Sequence, residues 1–319
     1  MREHGSADDL ERLDPQARLL VEAAREQPAP PYSEMSPEQI RDAYRQRFPL
    51  LQPVPPDMAR VADVRVAGST FPLFMRLYYP SGTENERLPW MLYLHGGGWV
   101  MGGLDSHDVL CRRIAAESGT VVVALDYRLA PEHPFPAALE DARLALADIC
   151  ARASQFGLDP QHGSVGGDSA GGNLAAVLAL EHRDDGNLKA VVLIYPNLDC
   201  ALEARSYDRI PRGSPLERQS MRMFQNHYLP IGIDRRDWRV SPLYAPSVAG
   251  LPPTLLITAG VDPLRDEGCA FAERLLAEDV VATHAYFPGQ IHGFVNMGAK
   301  LAAADTANAM IALHLRAFG

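Results

Sequence analysis

The sequence predicts an α/β protein, a mostly parallel central sheet covered by helices on both faces, and three observations carry that reading. Apolar runs of strand length alternate with longer amphipathic stretches from about Val61 to the C-terminus. A Gly-Asp-Ser-Ala-Gly pentapeptide, Gly167 to Gly171, stands where one such run passes into a helical stretch. The 319 residues suffice for one large core with a smaller attachment, since a chain of this size buries roughly three quarters of its unfolded surface.

In chain order, residues 10–26 and 36–47 place apolar side chains at helical spacing around the Pro-rich 28–33 segment, ahead of any strand-like alternation. They are expected as helices outside the core. Strands are expected at Val61–Val66, Phe71–Tyr79, Trp90–Leu94, Val121–Asp126, Ser164–Gly167 and Ala190–Tyr195, with helices from about Ser106, Ala137 and Ala170. Between Cys200 and Ser241 the alternation stops in a segment rich in Arg, Pro and Met, which reads as an insertion. A strand at Pro253–Ala259, a helix at Asp266–Ala277, a strand at Ala282–Phe287 and a helix from about Ala302 finish the pattern. The domain organisation expected is 1–50 as N-terminal cap helices, 51–200 and 241–319 as two parts of the core, and 201–240 as a cap insertion.

Composition argues against several functions. A formal net charge of −10 disfavours nucleic acid or an anionic membrane surface as a partner, because both need a basic face. Cys111, Cys150, Cys200 and Cys269 are far apart, with no CxxC or Cys/His ligand spacing, so neither a metal site nor a disulfide framework is expected. The first residues lack the apolar region of a signal peptide, and no stretch approaches the ~18 apolar residues needed to span a bilayer. A cytoplasmic location is expected.

A serine hydroxyl is a poor nucleophile unless a base lies within hydrogen-bond reach and a third group fixes that base's tautomer. Ser169, His292 and Asp262 can fill these roles, because Asp262 and His292 each follow a strand-like run and open α/β sheets build their sites at the carboxyl ends of strands. His4, His182 and His314 fall in terminal or helical polar stretches. His107, His133, His162, His227 and His284 lack a preceding carboxylate loop in the required order. Asp266 and Glu267, the rivals to Asp262, are expected to favour the positive end of the helix they begin. Upstream, His95-Gly96-Gly97-Gly98-Trp99 supplies a glycine run that lets backbone approach a reacting carbonyl, and the amides of Gly97, Gly98 and Ala170 are the expected oxyanion donors. Neither a dinucleotide nor a phosphate-loop pattern fits these residues, so no cofactor is expected. Asp126, Arg128, Glu132 and Asp141 are expected to form a buried support network. Arg205 to Arg239, interspersed with acids, should form a solvated mixed-charge face. Met221, Met223, Phe224 and Tyr228 make an apolar stripe that could line a pocket or pack the insertion onto the core.

The motifs HGGGW, DYRLAPE at 126–132, GDSAGG at 167–172, DPLRDE at 262–267 and HGF at 292–294 resemble those of the hormone-sensitive-lipase-like family of bacterial esterases, over roughly residues 50–319. The resemblance implies an α/β-hydrolase core, a helical cap built from the N-terminal helices and the segment after Pro196, and metal-free hydrolysis of short to medium acyl esters of small molecules. It makes His95 a structural residue of the glycine loop. Trp99, Tyr195, Met223 and Phe294 are the expected pocket residues, and a homodimer through the last core strand and helix is expected from related esterases. Two alternatives accompany this reading. One is a non-catalytic small-molecule receptor, as in the plant gibberellin receptor, which resembles the same family but lacks the catalytic histidine; the other is an amidase or lactonase using the same triad.

Overall fold

Apolar runs buried on both faces become central strands, and alternating runs go to the edges. The computed structural model describes residues 8–27, 30–83 and 87–319; His4 and residues 28 and 29 of the Pro-rich segment lie outside these. The strands are β1 (Arg60–Arg65), β2 (Phe74–Tyr79), β3 (Leu88–Leu94), β4 (Val121–Leu125), β5 (Leu158–Asp168), β6 (Leu188–Ile194), β7 (Thr254–Val261) and β8 (Ala282–Ile291). They form one eight-stranded sheet in the order β1-β2-β4-β3-β5-β6-β7-β8. Pairs involving β2 are antiparallel and all the others are parallel. Every residue of β4 and of β7 is buried, whereas the edge strand β1 has no buried residue.

The helices are α1 (Asp8–Glu11), α2 (Pro15–Glu26), α3 (Pro37–Arg47), α4 (Asp108–Ser118), α5 (Ala137–Arg152), α6 (Ala170–Glu181), α7 (Arg218–Tyr228), α8 (Arg265–Ala277) and α9 (Ala303–Phe318). Because side chains alternate across a strand, the sheet divides two cores. Leu92, Leu94, Val123 and Val165 pack with α5, α6, α7 and α8, while Met91, Tyr93, Val122 and Ala124 pack with α2, α4 and α9. Residues Ala170 to Leu180 of α6 are all buried, which explains a helix sequence without a polar face. Local signals set the N-terminal helices: Asp14 caps α2 ahead of Pro15, and Ser36 with Gln39 forms a capping box on α3. Arg41 then ties α3 to the core, donating to the carbonyls of Val100 (2.8 Å) and Ala130 (2.9 Å) and pairing with Glu132.

Two strands run further than the sequence pattern suggests. β5 starts at Leu158, and its register against β3 shifts between Leu88 and Trp90, so residues 159–162 are accommodated as an irregularity. β8 continues through Pro288-Gly289 to Ile291, with a register shift opposite Ala259 and Val261. Proline donates no ladder hydrogen bond, so it is tolerated at such a bulge. This extension puts His292 immediately after a strand that is bonded to the strand preceding Asp262.

Candidate active site

β5 ends at Asp168 and α6 begins at Ala170, which leaves Ser169 alone to make the turn. It does so at φ 54° and ψ −115°, a region that costs a non-glycine residue about 1–3 kcal/mol and persists only where the surroundings enforce it. The enforcement is backbone bonding: Ser169 N–H donates to Ile194 O (2.9 Å), and Ser169 O accepts from Asn173 N (3.0 Å) and Asn197 N (3.1 Å). Gly167 and Gly171 flank it because the turn crosses the end of β3, where a Cβ on either would overlap the Leu94 carbonyl oxygen.

Asp262 follows β7 and is buried. Its Oδ1 accepts from Leu264 N (2.9 Å) and its Oδ2 lies 2.7 Å from His292 Nδ1. A carboxylate beside Nδ1 favours the tautomer protonated there, leaving Nε2 free to accept. That nitrogen lies 3.0 Å from Ser169 Oγ. The structure thus brings together three side chains 30 and 123 residues apart in sequence. Asp266 instead holds Ser206 N (2.9 Å) and Arg265. Glu267 departs from its expected role as a helix-end charge: it is buried, accepts from Leu198 N (2.6 Å) and from the Tyr207 hydroxyl (2.7 Å), and burial pushes its carboxyl well above the ordinary range. It braces the segment after β6.

Ser169, His292, Gly97, Gly98 and Ala170 line one cavity of about 1310 Å³. Ala170 is the first residue of α6, so its N–H has no intrahelical acceptor. The N–H groups of Gly97 and Gly98 donate to no backbone acceptor among the described residues. Beside them the buried His95 ring stacks on Tyr127 at 4.1 Å and 10°, with Nδ1 2.8 Å from Gly96 O. No group of three or more His, Cys, Asp or Glu side chains among the described residues is arranged to hold a metal ion.

The cavity corrects part of the expected pocket. Trp99 lines it, with Met221 and Phe224 of α7 and with Tyr32, Tyr44 and Phe48 from the N-terminal region, whereas Met223, Tyr195 and Phe294 do not. α7 buries Met221, Phe224, Gln225 and Tyr228, and Met223 is turned about 100° away from Phe224 by the helical period. Tyr195 and Phe294 are buried behind the site: the Tyr195 ring packs 4.8 Å from that of His292 and 5.9 Å from that of Phe294. Tyr228 stacks on Trp99 at 4.3 Å. Of the expected buried network, Asp141 is buried and pairs with a half-buried Arg128 (2.7 Å), but Asp126 and Glu132 are exposed. In the 205–239 stretch, Arg236 pairs with Glu203 at 2.7 Å with both side chains more than half exposed, as a solvated face requires.

Sequence reasoning missed Asp168. Its buried carboxylate accepts from the Tyr93 hydroxyl (2.7 Å) and Gly96 N (2.8 Å), lies 3.1 Å from His107 Nε2 and 3.4 Å from Asn296 Nδ2. Burial alone would raise its pKa; the facing His107 and the hydrogen bonds outweigh that and hold it below the ordinary value. The available signal was an acid between a buried strand and an apolar helix, a position that demands partners.

Burial, reinforced by the neighbouring His107, lowers the His95 pKa from 6.5 to about 3. The folded chain then binds fewer protons than the unfolded one over that interval, so stability supplied by neutral His95 is complete above pH 6.5 and is lost as the pH falls toward 3. Urea unfolding should therefore lose free energy on acidification more steeply in the wild type than in His95→Gln, by up to ~1.4 kcal/mol per pH unit. Equal slopes would contradict a neutral buried ring.

A family model described as alpha/beta hydrolase fold matches residues 91–296. The carboxylic ester hydrolase LipN of Mycobacterium tuberculosis is 41% identical over 245 residues, covering 74% of this chain and 65% of LipN, less than two thirds of that protein's length. Esterase LipI of the same organism is 35% identical over 308 residues, 95% of this chain and 94% of LipI. An alpha/beta hydrolase enzyme from the metagenome of Lake Arreo, Spain, whose crystal structure is of a serine-to-alanine mutant, superposes with a TM-score of 0.92 at 38% identity, over 96% of this chain and 98% of that one. With the sheet order and the turn at Ser169, these matches place the chain in the alpha/beta-hydrolase family, among the hormone-sensitive-lipase-like esterases.

Proposed function

We propose that the chain is a serine carboxylesterase acting on small esters through an acyl-enzyme intermediate. The observation that carries this reading is the hydrogen-bonded chain Asp262–His292–Ser169, at 2.7 and 3.0 Å, beside a cavity that Gly97, Gly98 and Ala170 also line. His292 Nε2 removes the Ser169 proton as Oγ attacks the ester carbonyl, and Asp262 stabilises the imidazolium that forms. The three amides receive the developing oxyanion, a contribution for which losing one donor typically costs ~10² to 10³ in rate. His292 then protonates the leaving alcohol, and a water activated by the same imidazole releases the acid. In this reading α2, α3 and the 201–240 segment form a cap, because their side chains supply the cavity wall opposite Ser169.

Purified protein should hydrolyse a short-chain aryl ester, and Ser169→Ala should lose at least about 10³-fold in kcat while remaining folded; equal turnover by the two would refute the mechanism. Phe224 abuts Gly98 so closely that a Cβ there would overlap its ring, which restricts the space beside the amides. Rates should accordingly fall beyond medium acyl length, and Phe224→Ala should move the optimum to longer chains. A wild-type maximum on long-chain lipids would contradict this.

A homodimer through β8 and α9 belongs to the same proposal. β8 ends the sheet, and around it Val281, Tyr286, Leu276 and Leu313 are 62%, 47%, 78% and 60% exposed, an apolar surface beside unpaired strand edge that favours association. Sedimentation velocity should give twice the 34.9 kDa chain mass, and Tyr286→Asp should shift it toward the monomer. A monomer at micromolar concentration would exclude the dimer.

A further inference from the structure

The buried carboxylate of Asp168 has a place in this site that its partners define. Its four neighbours come from three separate segments: Tyr93 and Gly96 from the end of β3 and the glycine loop that follows it, His107 from the start of α4, and Asn296 from the turn after His292. Gly96 immediately precedes Gly97, Asn296 is four residues beyond His292, and Asp168 itself precedes Ser169. One side chain therefore bonds the segment carrying the amides and the segment carrying the imidazole, and is peptide-linked to the nucleophile. The space is closed tightly around it: a Cβ on Gly96 would overlap Asp168 Oδ2. Asp168 and His107 are 4% and 1% exposed, and Asp168 and Asn296 border the cavity that Ser169 and His292 line.

We propose that Asp168 is a positioning residue that holds the glycine-loop amides and the His292 loop in register with Ser169, a role that rests on the esterase reading given above. The physical basis is that oxyanion donors act only when fixed at the place where charge develops. Displacement by about 1 Å from a group outside the chemistry can cost ~10²-fold. The neutral amide introduced by Asp168→Asn would keep the shape but offer one acceptor oxygen where the carboxylate has two, and would leave His107 without its anionic partner. The glycine loop and the Asn296 turn would then no longer be held by one rigid acceptor.

The test measures kcat and KM on a soluble short-chain aryl ester, and the affinity for a trifluoromethyl ketone that adds to serine as a tetrahedral adduct, in wild type, Ser169→Ala, Asp168→Asn, Tyr93→Phe and His107→Gln. Positioning predicts that Asp168→Asn melts cooperatively but loses ~10²-fold in kcat, with KM nearly unchanged and ketone affinity weakened in parallel. A purely structural role would lower the melting temperature and leave kcat and ketone affinity within about threefold of wild type, a change of ~0.7 kcal/mol; that result overturns the proposal. Should Asp168→Asn fail to fold, parallel losses of kcat and ketone affinity in Tyr93→Phe and His107→Gln support it, and unchanged values in both overturn it. A wild-type chain with no more activity than Ser169→Ala would instead defeat the esterase reading and this proposal with it, an outcome distinct from a wild type that is active and an Asp168→Asn that matches it.

Discussion

The close crossing of the β5–α6 turn over the end of β3 is the constraint from which the site follows. Backbone at Gly167 and Gly171 packs against the Leu94 carbonyl with no room for a Cβ, so the turn can be one residue long. That residue, Ser169, must then take a left-handed conformation, which lifts its hydroxyl above the sheet and starts a helix at once. The same crossing packs the start of α6 against the Leu94 and His95 carbonyls, next to the glycine loop that follows β3. A longer turn would relieve Ser169 but would move its hydroxyl away from the end of β3, so local backbone strain and the place of the serine are two consequences of one contact.

The sheet supplies the rest by placing β7 and β8 side by side. Their parallel pairing sets the ends of both strands, and hence Asp262 and His292, at the edge where Ser169 stands. Electrostatics then fixes the imidazole. Asp262 is buried, has one oxygen committed to Leu264 N and offers the other to His292, so the ring has one favourable orientation. The Tyr195 ring packs against the imidazole, and Phe294 packs in turn against Tyr195. Their contribution is support of the histidine, which is why they are absent from the cavity wall.

What the sequence made legible was chemistry tied to residue type. A serine between glycines at a strand-to-helix boundary, an acid after one strand and a histidine after another have few other places in such a sheet, so Ser169, Asp262 and His292 could be named before their distances were known. Properties that depend on side-chain direction were not legible. Met221 and Met223 are equivalent in composition, and only the docking of α7 faces the first inward. Pro288-Gly289 reads as a strand terminator, yet pairing with β7 carries β8 through it as a bulge. Glu267 has the sequence context of a solvated helix-start acid, but the backbone amides of the segment after β6 draw it into the interior. Asp168 was hidden most completely, because its partners are distributed over the chain from Tyr93 to Asn296 and no spacing in the sequence links them.

The central claim is that convergence of these groups makes one particular alcohol reactive. Intact-mass spectrometry after brief treatment with a fluorophosphonate, followed by peptide mapping, tests it without depending on the choice of ester. The account predicts a single covalent adduct, located on Ser169 and abolished by His292→Ala. An unmodified chain, or an adduct on another residue with Ser169 untouched, would contradict it.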